Sequence, residues 1–93
     1  ILNISLLFPE DIFVDERGHI FVLDSGFMIE LNAQGRYVNR FNLFINGQHA
    51  GYWSFSRDAS KNFYMLSYGE GVVRKFDAQG TFMMSFGAGQ LTY

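Results

Sequence analysis

Hydrophobic residues come in short bursts along this chain, with no helical period. Ile20-Phe21-Val22-Leu23 and Phe63-Tyr64-Met65-Leu66 are unbroken apolar runs, whereas Ile4-Ser5-Leu6 and Tyr37-Val38-Asn39-Arg40-Phe41 are interspersed with polar residues. The nearest thing to a helical stripe, residues 52–66, is broken by Ser and Asn and dominated by aromatics. The pattern predicts an all-β chain. Strands are expected at 11–14, 19–23, 27–31 and 36–41, and again at 52–57, 62–67, 72–76 and 81–86, where Phe, Ile, Val and Tyr concentrate. A strand with one wet face alternates apolar and polar residues. The two unbroken runs do not, so both of their faces should be covered. The mixed runs suit outer or edge strands.

Turn chemistry separates the strands. Asp15-Glu16-Arg17-Gly18, Asn32-Ala33-Gln34-Gly35 and Asp77-Ala78-Gln79-Gly80 each begin with Asp or Asn and end with Gly. That is the preference of a type I turn closed by a left-handed residue. Asp24-Ser25-Gly26 is a further connection. Asp58-Ala59-Ser60-Lys61-Asn62 lacks the Gly, and Asn62 is expected to take the left-handed position, which Asn tolerates well.

The chain repeats itself. Asn32-Ala33-Gln34-Gly35 returns 45 positions later as Asp77-Ala78-Gln79-Gly80, and each copy is followed by an aromatic (Tyr37, Phe82) and then a Phe (Phe41, Phe86). Asp15 and the run from Ile20 return 43 positions later as Asp58 and the run from Phe63. The two-residue difference falls at Gly69-Glu70, a loop tip. A period near 45 residues suits a four-stranded propeller blade.

Composition narrows the classes. Of 93 residues, 48% are hydrophobic and 18% aromatic, too apolar for a disordered segment. No apolar run approaches the ~20 residues of a membrane-spanning helix. The absence of Cys excludes a disulfide framework and a thiolate metal site. Seven scattered basic residues against nine acidic ones give net −2, which argues against nucleic acid as a partner.

Pro9, Ile12, Val14-Asp15, Gly18, Ile20, Val22, Asp24, Ile29, Gly35 and Phe41 stand in the order of an NHL repeat, and the first repeat resembles that type of β-propeller blade. The second repeat is a degenerate copy. It keeps Phe55, Asp58, Tyr64, Phe76-Asp77, Gly80, Phe86 and Gly87, but has Arg57 in place of Val14 and Ser67 in place of Asp24, and lacks the Pro and the turn Gly. The resemblance implies two four-stranded antiparallel blades, each with its first strand lining a central channel and its fourth at the rim. Residues 1–7 then form the rim strand of a preceding blade, 8–41 blade 1, 42–51 the inter-blade loop, 52–86 blade 2 and 87–93 a tail. Two blades cannot close a channel, since propellers use about four to eight. The expectation is part of an about six-bladed propeller, completed by missing sequence, another chain or copies of this one; three copies would supply six blades.

Few residues suggest chemistry. Asp15, Asp24 and Asp58 stand beside turns, where carboxylates could cluster around Ca²⁺ but more commonly cap turn N–H groups. Capping is the favoured reading, and no metal or cofactor is expected. His19 and His49 fall on no innermost strand, and no catalytic motif is visible. Tyr52 and Trp53 open the second repeat and are candidates for stacking on a ligand or anchoring a partner; packing of Trp53 between blades is the plainer expectation. Arg57 is a charge in an apolar pattern and needs a partner, water or a ligand. Tyr68 and Glu70 flank the loop tip, where blade loops commonly bind. The leading reading is a non-enzymatic interaction or assembly module whose partners are other propeller blades. A fragment of a propeller lyase or hydrolase, with its channel ligands in other blades, and a small oligomeric lectin-like binder are the alternatives.

Overall fold

A computed structural model describes residues 6, 8–43, 51–67 and 71–87, and among them every regular element is a strand. The order is β1 (Pro9–Val14), β2 (Ile20–Asp24), β3 (Phe27–Leu31), β4 (Tyr37–Asn42), β5 (Tyr52–Arg57), β6 (Phe63–Ser67), β7 (Val73–Phe76) and β8 (Phe82–Phe86). Two four-stranded antiparallel sheets result, β1-β2-β3-β4 and β5-β6-β7-β8. Each predicted strand is present, displaced by at most two residues at an end. Among the described residues no helix is long and apolar enough to cross a membrane.

Four turns share one geometry. The side-chain Oδ1 of Asp15 accepts from the N–H groups of Arg17 and His19, that of Asn32 from Gln34 and Arg36, that of Asp58 from Ser60 and Asn62, and that of Asp77 from Gln79 and Thr81, all within 2.9–3.0 Å. The fourth residue of each turn is left-handed. At three turns it is glycine (Gly18, Gly35, Gly80), and at the Asp58 turn it is Lys61, at φ 72°. The expectation for Asn62 is therefore corrected. Asn62 instead donates its N–H and Nδ2 to the Asp58 carboxylate, at 3.0 and 3.1 Å. Six hydrogen bonds at Asp58, four to its carboxylate and two at its backbone, over-determine the turn, so it holds a non-glycine residue at positive φ.

Register assigns each residue to a face. On the first sheet, the rows Asp11↔Leu23↔Met28↔Phe41 and Phe13↔Phe21↔Glu30↔Asn39 look toward the second sheet. The rows Ile12↔Val22↔Ile29↔Arg40 and Val14↔Ile20↔Leu31↔Tyr37 look away. On the second sheet, Phe55↔Met65↔Arg74↔Ser85 and Arg57↔Phe63↔Phe76↔Phe82 look inward. The core between the sheets joins Phe21, Leu23, Met28, Phe41 and Leu43 to Tyr52, Phe55, Phe63, Met65 and Phe76. Its rings meet edge-on or tilted, with Phe63 5.8 Å from Phe21 and 5.4 Å from Phe41 between centroids. The backbone of β5 runs close to β1 and β2, and Phe63 of β6 reaches Phe21 of β2.

The two unbroken runs behave differently. Phe21, Val22 and Leu23 are buried on both faces of β2, as expected. In β6 only Phe63, Met65 and Ser67 are buried, while Tyr64 and Leu66 on the opposite face are half-buried. Residues 1–5, most of the expected inter-blade loop (44–50) and the expected tail beyond Gly87 lie outside the described residues.

Candidate functional site

The turns at Asp15 and Asp58 stand at the same end of the two sheets, and an open cleft of about 440 Å³ lies between them. Its walls include Glu16, Arg17, Glu30, Arg57 and Lys61 above the rings of Phe21 and Phe41. Asp15 anchors the first wall. Its carboxylate accepts from the N–H groups of Arg17 and His19 and, through Oδ2, from Arg17 Nη2 at 3.0 Å. Burial pushes this carboxyl up, but the Arg17 guanidinium and the two N–H bonds outweigh it and hold the group below its ordinary value. The same Arg17 nitrogen stands 3.8 Å from Glu30 Oε2, which is 2.6 Å from His19 Nδ1. Across the cleft Lys61 pairs with Glu16, and this ammonium lowers the Glu16 carboxyl. The Lys61–Glu16 pair is one of the links between the sheets.

Arg57 is the unusual member. Its guanidinium lies over two rings that meet edge-on, Phe21 of the first sheet and Phe63 of the second, 4.3 Å from each ring centre. Arg57 Nη2 donates to Lys61 O at 2.9 Å, while the buried Nε finds no acceptor among the described residues. Burial pushes its pKa down, and the Asp15 and Glu30 carboxylates push it back up. Arginine keeps its proton in proteins, so the charge stays. At the repeat position where Val14 stands open on the first sheet, the second sheet thus makes a cation–π contact. Among the ion pairs of the cleft, Lys61–Glu16 joins the two sheets and is exposed, whereas those of Arg17 and His19 stay within the first sheet. Among the described residues no group of three or more His, Asp or Glu side chains is placed to hold a metal ion.

The remaining sequence candidates scatter. Tyr52 is fully buried, packs edge-on against Phe76 and donates its hydroxyl to Leu43 O at 3.1 Å, so its ring faces the core. Trp53 is 51% exposed, which corrects the expectation that it packs between blades. The reason is a register shift between Tyr52 and Ser54 that turns Trp53 outward. Tyr68, Glu70 and His49 lie outside the described residues. Asp24 accepts the N–H of Phe8 at 2.6 Å, and with Asp15 and Asp58 it is occupied in backbone capping.

Sequence reasoning missed Asp11. Its Oδ2 crosses to the second sheet and accepts from Ser54 Oγ at 3.1 Å and from the N–H of Phe55 at 3.0 Å. A signal was present: Asp11 and Ser54 are the same repeat position, 43 residues apart, and each follows a register shift. Two blades without neighbours are expected to expose apolar faces, and Ile12 and Val14 of β1 are 63% and 57% exposed while Met84 and Phe86 of β8 are 49% and 40% exposed.

Asp58 offers a pH test. Asn62, through its side-chain amide and its N–H, holds the Asp58 carboxyl down at about 2, with help from the Tyr64 hydroxyl and the Ser60 N–H. A depressed folded-state value means that the contribution is complete above the ordinary value of 3.8 and disappears as pH falls toward 2. Urea midpoints should fall between about pH 4 and pH 2, and Asp58→Asn should flatten that slope while lowering the midpoint at neutral pH. An unchanged slope would remove Asp58 as its source.

The architecture defines an all-β protein of two antiparallel four-stranded sheets that share one aromatic core. No protein-family model and no curated protein matches the chain.

Proposed function

We propose that this chain is a non-enzymatic interaction and assembly module built from two NHL-like propeller blades, and that it forms part of a propeller of about six blades. One observation carries the reading: the outward faces hold large apolar side chains in open positions, with Ile12 and Val14 on β1 and Met84 and Phe86 on β8. Large apolar side chains left open side by side on a strand suit an interaction surface. The inter-sheet contact within the chain supplies the mechanism. Aromatic packing provides the attraction, while directional bonds such as Asp11 to Phe55 N–H set the register.

The test is carbene footprinting of the protein in its native complex and as the isolated chain. Ile12, Val14 and Phe86 should be labelled in the isolated chain and protected in the complex, and Ile12→Asp with Phe86→Asp should abolish the complex. Equal labelling in both states would overturn the reading.

A further inference from the structure

The outward face of the second sheet repeats, row by row, the ground on which that sheet itself sits. With offsets of 43 for β1 and β2 and 45 for β3 and β4, the row Asp11↔Leu23↔Met28↔Phe41 becomes Ser54↔Leu66↔Val73↔Phe86. The row beginning at Phe13 and Phe21 likewise becomes Ser56 and Tyr64. On the first sheet this ground is covered by Phe55 and Phe63. On the second sheet it is a shallow recess of about 260 Å³, lined by Ser54, Ser56, Tyr64, Leu66 and Val73 with an edge of Phe55.

The counterparts of Phe55 and Arg57 under the same operation are Ile12 and Val14, the exposed apolar residues of β1. The chain therefore carries both halves of one interface: on one, Ile12 and Val14 of β1 are open beside the buried Val22, Ile29 and Leu31, and on the other the recess and Phe86 are open. We propose that a second copy of this chain seats its β1 on β5 and β6 of the first, head to tail, with Ile12 in the recess. This rests on the reading of the chain as a blade-assembly module and names its partner.

Two details fit this occupant. Within the chain, Asp11 accepts the N–H of Phe55; at the proposed contact Ser54 faces the N–H of Ile12, which within one chain donates to Asp11 Oδ1 at 2.9 Å and exchanges that partner on association. A hydroxyl donates and accepts at once, so Ser54 can keep its bond to Asp11 while accepting from the second copy. At the far end, Gly80 lies so close to Phe41 that an added Cβ would stand 3.0 Å from Phe41 Cδ1. The equivalents of this pair are Gly35, also left-handed at φ 83°, and Phe86, which is 40% exposed. The contact is heterologous, so it propagates until the rotation closes a ring. About four to eight blades correspond to about two to four copies.

Light scattering of the purified chain should give a closed multiple of 10.7 kDa. Ile12→Asp and Leu66→Asp should each break it down. Ile12 is an exposed site, so its variant keeps the fold, and circular dichroism checks the other. Mixing the two variants leaves one intact pair of faces and should yield a 1:1 heterodimer and nothing larger. A monomer at the highest soluble concentration, an oligomer indifferent to both changes, or a mixture that forms no heterodimer would each overturn the inference. The native-complex footprint separates the two claims. Protection of Ile12 and Phe86 by a different chain overturns self-assembly alone, and no protection overturns the module reading as well.

Discussion

Phe63→Ala is expected to cost about 3–5 kcal/mol, the usual range for truncating a fully buried Phe to Ala. That is a large part of the ~5–15 kcal/mol that holds a domain folded. Phe63 has no exposed surface and stands at the centre of the core, against Phe21, Phe41 and Phe55 and beneath the Arg57 guanidinium. Its removal opens a cavity that neither sheet can fill, because each neighbouring ring is held by its own strand pairing. A melting temperature lowered by more than about 12 °C, or loss of a cooperative transition, is the expected result in a domain of this size. Trp53→Ala is the control: half exposed on a bulge, it should change stability by less than about 0.5 kcal/mol. Comparable losses for the two variants would mean that the sheets do not share one core.

Asp11→Ala is expected to cost about 1–3 kcal/mol, because it strips the acceptor from two donors of the other sheet at once. The Ser54 hydroxyl can turn to water, but the Phe55 N–H is fixed by the strand and part-buried. A double-mutant cycle with Ser54→Ala isolates the link. A coupling energy above about 0.5 kcal/mol is expected for residues in contact. Strict additivity would show that Asp11 acts only within its own sheet. All variants must be compared at one protein concentration, since any association would shift the midpoint by mass action.

These two residues differ in how visible they were. Phe63 lies in an unbroken apolar run, and such runs predict burial from local pattern. Asp11 is one acid among several near a strand start, and nothing beside it in the chain marks its role. The Phe55 N–H that it binds is 44 residues away in sequence. Arg57 sits between these cases. Its mismatch with Val14 flagged it, but the partners weighed by spacing alone gave no hint of its place over the rings of Phe21 and Phe63. Lys61 shows the opposite error. Intrinsic preference favoured Asn62 for the left-handed position, yet the shared turn geometry placed Lys61 there, since it is the position of Gly18 in the first repeat.

Strands, turns and the duplication are set by short-range chemistry. Apolar bursts, an Asp or Asn that caps its own turn, and a glycine at positive φ act within a few residues, so the sequence alone determined them. Pairing of the two sheets depends on which face each side chain takes, and a single-residue register shift reverses that. The shift between Tyr52 and Ser54 buries Tyr52 and exposes Trp53, although the two are neighbours with similar apolar character. Only the tertiary structure decided that, along with the reach of Asp11, the two-ring contact of Arg57 and the recess beside Leu66. Each is a contact between strands distant in the chain, fixed when the sheets pack.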